Sequence, residues 1–329
     1  MRKNIIKQVT LLGFLAVLAV GCDKSFLEQS PYGSVNEALL STSEKGADAL
    51  LIAAYSNLDG FSGWDNGTPW GGAASNWTFG SIAGGDAYKG SEAGDQPDIT
   101  PIERGNVDAN NPYLEGKWRN YYDGISRVNQ AIKAFTKLEG IDATKKATRL
   151  AEARFLRAWF HYDLWRIFRN IPYIDETITD VRIGNTTNVL PKIQADLTEA
   201  LKSLPKDQPE QGRITSGAAH ALLGNTYLWQ KDWPKAKEQF DAVVNSQKYQ
   251  LNPNFHDNFN AATRNSQEGI LEVQQSVNDG TTDNGNNGDV LNFPYNGGPA
   301  GCCGFHQPSQ DLVNAFQVDA NGLPLLDTY

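Results

Sequence analysis

The sequence predicts a mainly α fold, in which tetratricopeptide-like helix pairs form a scaffold beside long loop-rich regions and a few short strands. Apolar residues recur at helical spacing over about 43–58 and 113–247, which indicates amphipathic helices. The regions over about 60–112 and 250–329 are instead rich in Gly, Asn, Asp and Ser. Loops of this length inside a compact protein are usually functional or disordered, and their many aromatic residues argue against disorder.

The beginning of the chain has the features of a bacterial lipoprotein signal peptide. Basic residues precede an apolar run over residues 9–20, which is too short to span a bilayer. A glycine then stands directly before Cys22, as is typical of a lipidation site. We therefore predict a signal peptide over 1–21, lipidation of Cys22 and a lipidated tether over 22–42. The alternative is an ordinary secretory signal that happens to be followed by a cysteine.

One helical hairpin carries a recognisable repeat signature. Leu223-Gly224-x-x-Tyr227 matches the first helix of a tetratricopeptide repeat, and Ala236 and Phe240 fall where its second helix has a small and an aromatic residue. Small side chains let the two helices approach closely, and the aromatic rings fill the groove that remains. Because a single hairpin cannot bury its own face, we expect the preceding helices to stack on it.

Charge and cysteine content exclude some classes of partner and site. The formal net charge is -9 at pH 7, and an acidic surface repels phosphate, so we expect no nucleic acid partner. Cys302 and Cys303 are adjacent, which suits neither a disulfide framework nor a zinc site. We expect them to be thiols, with a disulfide between the two as the alternative.

No catalytic or metal-binding pattern stands out. The four histidines form no metal motif, and the chain has no nucleophile elbow or phosphate loop. A glycosidase needs two carboxylates across a cleft, and nothing in the sequence singles out such a pair. Glu152, Arg154 and Arg157 are expected to form structural ion pairs on a crowded helix. We therefore predict a binding protein with no catalytic residues, no metal and no cofactor.

Two further expectations concern strands and tryptophans. Residues 270–277 alternate between apolar and polar side chains, which predicts a strand. Five tryptophans lie on helical stripes or at turns and are expected in the core; they are Trp118, Trp159, Trp165, Trp229 and Trp233.

The two loop regions offer side chains suited to a sugar. A sugar combines apolar ring faces with hydroxyl rims, and proteins bind it by stacking aromatic rings on the faces and hydrogen-bonding the rims. The candidate ligand-binding residues are Trp64, Asn66, Trp70, Asn76, Trp77, Asp283, Asn287, Phe293, Tyr295 and Phe305. The alternative is that these aromatic residues pin long loops to the core, and for any single tryptophan both interpretations stay open.

Segments spread along the whole chain carry the likeness to a known family. They are the lipidation site at Cys22 and residues 85–90, 118–129, 151–158, 171–172, 212–215, 218–223 and 304–312. With these segments the chain resembles the SusD/RagB outer-membrane lipoproteins of Bacteroidetes. Members of that family continue past a segment like 319–324, so the resemblance implies a SusD-like domain over 43–329 that is incomplete at its C-terminus.

The resemblance implies a helix-pair scaffold beside a loop-rich ligand-binding face. It also implies a lipid-anchored protein, exposed on the outer membrane, that captures an oligosaccharide or another nutrient. The implied partner is a SusC-like TonB-dependent transporter, to which the ligand is delivered. Two alternatives remain open: a helical-repeat lipoprotein that binds only protein partners, and a surface hydrolase.

Overall fold

The computed structural model describes residues 40–60, 70, 72, 75–180, 182–274, 291–296, 301 and 303–325. Its α-helices are α1 (Glu44–Ser56), α2 (Thr100–Glu103), α3 (Pro112–Lys137), α4 (Ala143–Phe168), α5 (Leu190–Leu201), α6 (Ser216–Trp229), α7 (Trp233–Asn245) and α8 (Gln310–Ala315). In these ranges no helix is both long and apolar enough to cross a membrane.

Side-chain caps fix where several helices begin. Ser43, Asp142 and Thr215 each accept a hydrogen bond from a backbone N–H in the first turn of α1, α4 and α6 respectively. Asn111 caps α3 in the same way, and Pro112 follows it at the first helical position, where the missing N–H costs nothing. The helix starts are therefore specified locally by polar residues next to apolar stripes.

The longer helices pack in chain order, with α1 on α3, α3 on α4, α4 on α5, α5 on α6 and α6 on α7. One continuous apolar core runs through this array. In the α6–α7 hairpin, a Cβ atom on Gly224 would lie 2.6 Å from the ring of Phe240, and Ala236 is buried. This confirms the predicted helix-pair scaffold and the close approach that its small residues permit.

The loop-rich region contains more regular structure than the sequence predicts. A π-helical turn (Thr78–Ile82) leads to strand β1 (Ala87–Gly90), and a 3-10 turn (Pro97–Ile99) follows. Strand β1 pairs antiparallel with β2 (Phe305–Pro308). A second, smaller apolar cluster lies beneath this ribbon; it consists of Trp70, Trp77, Ile82, Ala87, Ile99, Ile102, Tyr113 and Phe305.

The prediction of a strand over residues 270–277 is wrong for residues 270–274, the part that the structure describes, because they contain no strand. Leu271 and Val273 are half-buried against the helical core, while Glu272 and Gln274 are exposed. The predicted alternation is therefore present. It does not form a strand because, within the described residues, the segment pairs with neither β1 nor β2 and packs its apolar side chains against the helical core instead.

Two other expectations are corrected. Trp229 and Trp233 are 48% and 59% exposed rather than part of the core, because they lie at the turn that joins α6 to α7. Trp118, Trp159 and Trp165 do pack against the core, as expected. Cys303 is disulfide-bonded rather than a thiol; a disulfide suits a compartment outside the reducing cytoplasm.

The expected ion pairs on α4 are confirmed for two of the three residues. Glu152 is fully buried and lies 2.7 Å from Arg149 and 3.3 Å from Arg213. Arg157 forms an ion pair with Asp196 at 2.6 Å. These buried charges pair with one another, so their arrangement is explained by the packing of α4.

Candidate functional site

Three of the predicted ligand-binding rings pack against one another. The ring centroids of Trp70 and Trp77 are 5.5 Å apart, and Phe305 lies 5.0 Å from Trp70 and 6.1 Å from Trp77, all edge to face. None of the three side chains is more than 7% exposed. No open ring face is left for a sugar, and the three rings hold β2 and the loop before the π-helical turn together.

The predicted ligand residue Asn76 has its polar groups engaged within the protein. Its amide nitrogen donates to the two carboxylate oxygens of Asp163, at 2.9 and 2.8 Å. Its carbonyl oxygen accepts a hydrogen bond from the Lys117 ammonium. Asn76 itself has a left-handed φ of 52°. It therefore ties the loop to α3 and α4 rather than presenting a free amide.

Lys117 and Asp163 form a buried ion pair, 2.7 Å apart, at this junction. Burial lowers the pKa of Lys117 to about 8, although the Asp163 carboxylate raises it. Burial also works against the charge on Asp163, but Lys117 and Arg166 outweigh it and hold the pKa of that carboxyl at about 2. Both groups are therefore charged at neutral pH, and the loop is fastened to the scaffold by charge-assisted hydrogen bonds.

Among the predicted ligand-binding rings, Tyr295 and Phe293 are the accessible ones in the described part of the chain. Tyr295 is 49% exposed, and its hydroxyl donates to a carboxylate oxygen of Glu92 at 3.1 Å. Phe293 is half-buried, and its carbonyl accepts a hydrogen bond from the Gln307 side chain. An aromatic ring with an adjacent carboxylate thus lies at the surface beside the β1–β2 ribbon.

A cleft of about 490 Å³ lies directly beside Asn76, between the loop region and the helices. Its lining residues are Asn76, Phe79, Gly80, Ala83, Ile102, Gly105, Val107, Leu114, Arg166, Ile167 and Trp229. The cleft has the size of a small-molecule site and combines apolar walls with few polar groups.

Phe79, Arg166 and Trp229 give this cleft its chemistry. Arg166 donates to Asp163 at 2.7 Å, so its guanidinium is held in place while the side chain stays exposed. The guanidinium of Arg169 lies over the Trp229 ring, 4.5 Å from its centroid. The two aromatic rings can stack on a sugar, and the guanidinium beside them can donate hydrogen bonds to its hydroxyls.

Sequence reasoning missed these three cleft residues because they come from three distant segments. The available signal was the position of Trp229 at a helix end, followed by the polar residues Gln230 and Lys231. Such a position favours the surface over the core. Trp64, Asn66, Asp283, Asn287 and the lipidation site Cys22 lie outside the residues that the structure describes.

Comparisons of both sequence and structure find SusD-like proteins. Residues 26–228 match the profile of a SusD-like family described as starch-binding associating with outer membrane. A SusD-like protein of Bacteroides ovatus is 25% identical over 292 residues, which cover 83% of this chain and 50% of the relative.

Solved structures with the same fold include surface glycan-binding protein A from Bacteroides fluxus, at a TM-score of 0.63 and 28% identity. They also include a laminarin-binding SusD-like protein, at a TM-score of 0.60 and 25% identity. These alignments cover 71% and 70% of this chain, and 51% of each solved chain. The chain therefore spans about half the length of the proteins that it matches.

Proposed function

Because the chain belongs to the SusD-like family, we propose that it is a glycan-binding lipoprotein of the cell surface. In this proposal it captures an oligosaccharide and delivers it to a SusC-like TonB-dependent transporter. The observation that carries the proposal is the family match over residues 26–228. Two solved proteins of the same fold, named for binding glycan and laminarin, support the class of ligand.

The loop-rich face is the proposed ligand-binding surface. Tyr295 and Phe293 offer accessible rings at the ribbon. Trp229, the last residue of α6, lines the cleft beside Asn76. The sequence-based proposal for Trp64, Asn66, Asp283 and Asn287 stands unchanged. The buried rings Trp70, Trp77 and Phe305 have a supporting role, because they fix the backbone from which these loops extend.

Capture needs no bond to be made or broken. A pyranose ring stacks on Trp229 or Phe79, and the Arg166 guanidinium donates to its hydroxyls. Asp163 holds that guanidinium before the ligand arrives, so less side-chain freedom is lost on binding. The described residues contain no cluster of side chains suited to a metal ion. The proposed activity is binding without catalysis, and it requires neither metal nor cofactor.

The proposed location is the outer membrane, through a lipid on Cys22. Mass spectrometry of the protein from native membranes should find Cys22 as a lipidated first residue. Unmodified Cys22 in that fraction would contradict the anchor. Copurification of a TonB-dependent transporter with the tagged protein, from gently solubilised outer membranes, tests the proposed partner.

A calorimetric titration of the protein with starch-, laminarin- and other polysaccharide-derived oligosaccharides tests the proposed capture. Trp229→Ala removes a cleft ring, and the affinity for glycan should fall about tenfold or more, as about 1.4 kcal/mol of lost binding implies. Trp233→Ala is the matched control, because Trp233 is also exposed at the same turn, at 59% against 48% for Trp229, but does not line the cleft. Equal losses in both variants, or no binding by any glycan, would contradict the proposal.

A further inference from the structure

A second cleft, of about 520 Å³, lies on the helical scaffold between α3 and the segment that follows α4. Its lining residues are Trp118, Tyr122, Ile125, Ser126, Asn129, Gln130, Lys133, Pro172, Ile174, Asp175 and Ile178. It shares no residue with the cleft beside Asn76 or with the ligand-binding residues predicted from the sequence. Nothing in the proposed capture mechanism uses it.

Two aromatic rings form one side of this cleft. The ring centroids of Trp118 and Tyr122 are 4.7 Å apart, and Trp118 also packs edge to face with Phe168, at a centroid distance of 5.1 Å. Trp118 and Tyr122 are both half-buried, so each is fixed by packing while part of it faces the cleft. Rings held in this way lose little freedom when a ligand stacks on them.

The opposite wall, residues 172–175, is held by hydrogen bonds from the two long helices. The Tyr122 hydroxyl donates to the Pro172 carbonyl at 2.7 Å. The Asn129 amide donates to the Ile174 carbonyl at 3.2 Å, and the Ile174 N–H donates to Nε2 of His161 at 3.1 Å. Asn129 and His161 are buried. The cleft is therefore formed before any ligand binds, as small-molecule sites usually are.

The polar groups at the rim favour a neutral ligand. Lys133 and Asp175 bring one positive and one negative charge, and Ser126 and Gln130 add a hydroxyl and an amide. Burial opposes the charge on Asp175, but hydrogen bonds from Thr177 outweigh it and hold the pKa of that carboxyl below its usual value. The carboxylate is thus charged at neutral pH and can accept hydrogen bonds from hydroxyl groups.

We propose that this cleft is a second carbohydrate site, which takes one or two pyranose units by stacking on Trp118 and Tyr122. Donors and acceptors at the rim match the hydroxyls of a sugar. The one positive and the one negative charge at the rim balance each other, which suits an uncharged ligand. The choice of sugar as ligand rests on the proposed function. Two separate sites on one chain bind a polymeric glycan more tightly than either site alone, because the second contact is intramolecular.

Fluorine NMR of the full chain, labelled with 5-fluorotryptophan, tests this site directly. The signal that disappears in Trp118→Phe belongs to Trp118 and reports on the second cleft. The signal that disappears in Trp229→Phe belongs to Trp229 and reports on the cleft beside Asn76. Titration with glucose, maltose and laminaribiose at millimolar concentrations should move the Trp118 signal in a saturable way. Ser126→Phe, which fills the cleft from an exposed position, should abolish that movement.

Thr136→Phe is the control for that variant, because Thr136 is exposed on the same helix but does not line the cleft. It should leave the Trp118 response intact. A glycan that moves the Trp229 signal but not the Trp118 signal overturns the second site and leaves the proposed function standing. A Trp118 response that survives Ser126→Phe also overturns the second site.

Discussion

A buried histidine is expected to make this protein sensitive to mild acid. His161 is fully buried in α4, and its Nε2 accepts a hydrogen bond from the Ile174 N–H at 3.1 Å. Its Nδ1 lies 2.9 Å from the Arg157 carbonyl, so the proton of the neutral ring must be on Nδ1, where it donates to that oxygen. Tyr173 stacks on the ring at 4.4 Å. Protonation of Nε2 would break the bond to Ile174 and place a buried charge near Arg157.

The size of the effect follows from the pKa of His161 in the two states. Burial lowers the pKa of His161 to about 3 in the folded protein, against 6.5 for an unperturbed histidine. Above pH 6.5 neither state binds the proton, and the full stability is present. As the pH falls from 6.5 towards 3, the unfolded chain binds a proton that the folded chain excludes, so the free energy of unfolding falls. At about pH 5 the loss is about 2 kcal/mol.

Urea unfolding of the wild type and of His161→Gln, at about pH 7.5 and about pH 5, measures this loss. The variant should be less stable at the higher pH, because it loses the packed ring. Between about pH 7.5 and about pH 5, the free energy of unfolding of the variant should fall by about 2 kcal/mol less than that of the wild type. His220→Gln is the control, since His220 is only half-buried, and it should keep the wild-type pH dependence. Equal pH dependence in the wild type and His161→Gln would refute the reasoning.

Two further variants test the packing that positions the loops and the helices. Lys117→Met removes the buried one of the two cations that pair with the Asp163 carboxylate and leaves only the more exposed Arg166, so urea unfolding should show a loss of up to about 3–5 kcal/mol; a loss below about 1 kcal/mol would contradict the role of the pair. Gly224→Ala places a Cβ 2.6 Å from the Phe240 ring and should cost about 1–3 kcal/mol in the same measurement. Gly94→Ala serves as its control, because a Cβ at Gly94 has no atom within 4 Å; a similar change in the free energy of unfolding of both variants would show that the close approach of α6 and α7 does not cause the loss.

The helical scaffold could be predicted from the sequence because its signals are local. Apolar spacing and polar caps at residues such as Ser43 and Thr215 lie within a few positions of the helices that they specify. The β1–β2 ribbon could not be predicted, because each strand has four residues and the two lie more than two hundred positions apart. Neither strand is long enough to show a period by itself.

The candidate site was harder to predict than the fold, because composition does not reveal what a side chain faces. Trp77 and Tyr295 lie in similar aromatic-polar loops, yet the first is buried and the second is half exposed. Asn76 would be a plausible sugar ligand by type, but its amide is engaged by Lys117 and Asp163, which are 41 and 87 positions away. Contacts over such separations follow from the packing of α3 on α4 and have no local signal.

The pairing of β1 with β2 has a consequence for the order in which the molecule is assembled. Its register joins Ala87 to Pro308, so the chain between them must be brought into a closed loop before the ribbon can form. The helices in between form neighbouring contacts in chain order, and such local contacts form faster than distant ones. We therefore expect the helical array to fold first and the ribbon face to close last. A folding intermediate in which residues 305–308 have not yet docked would then have its helical scaffold but not its closed ribbon face.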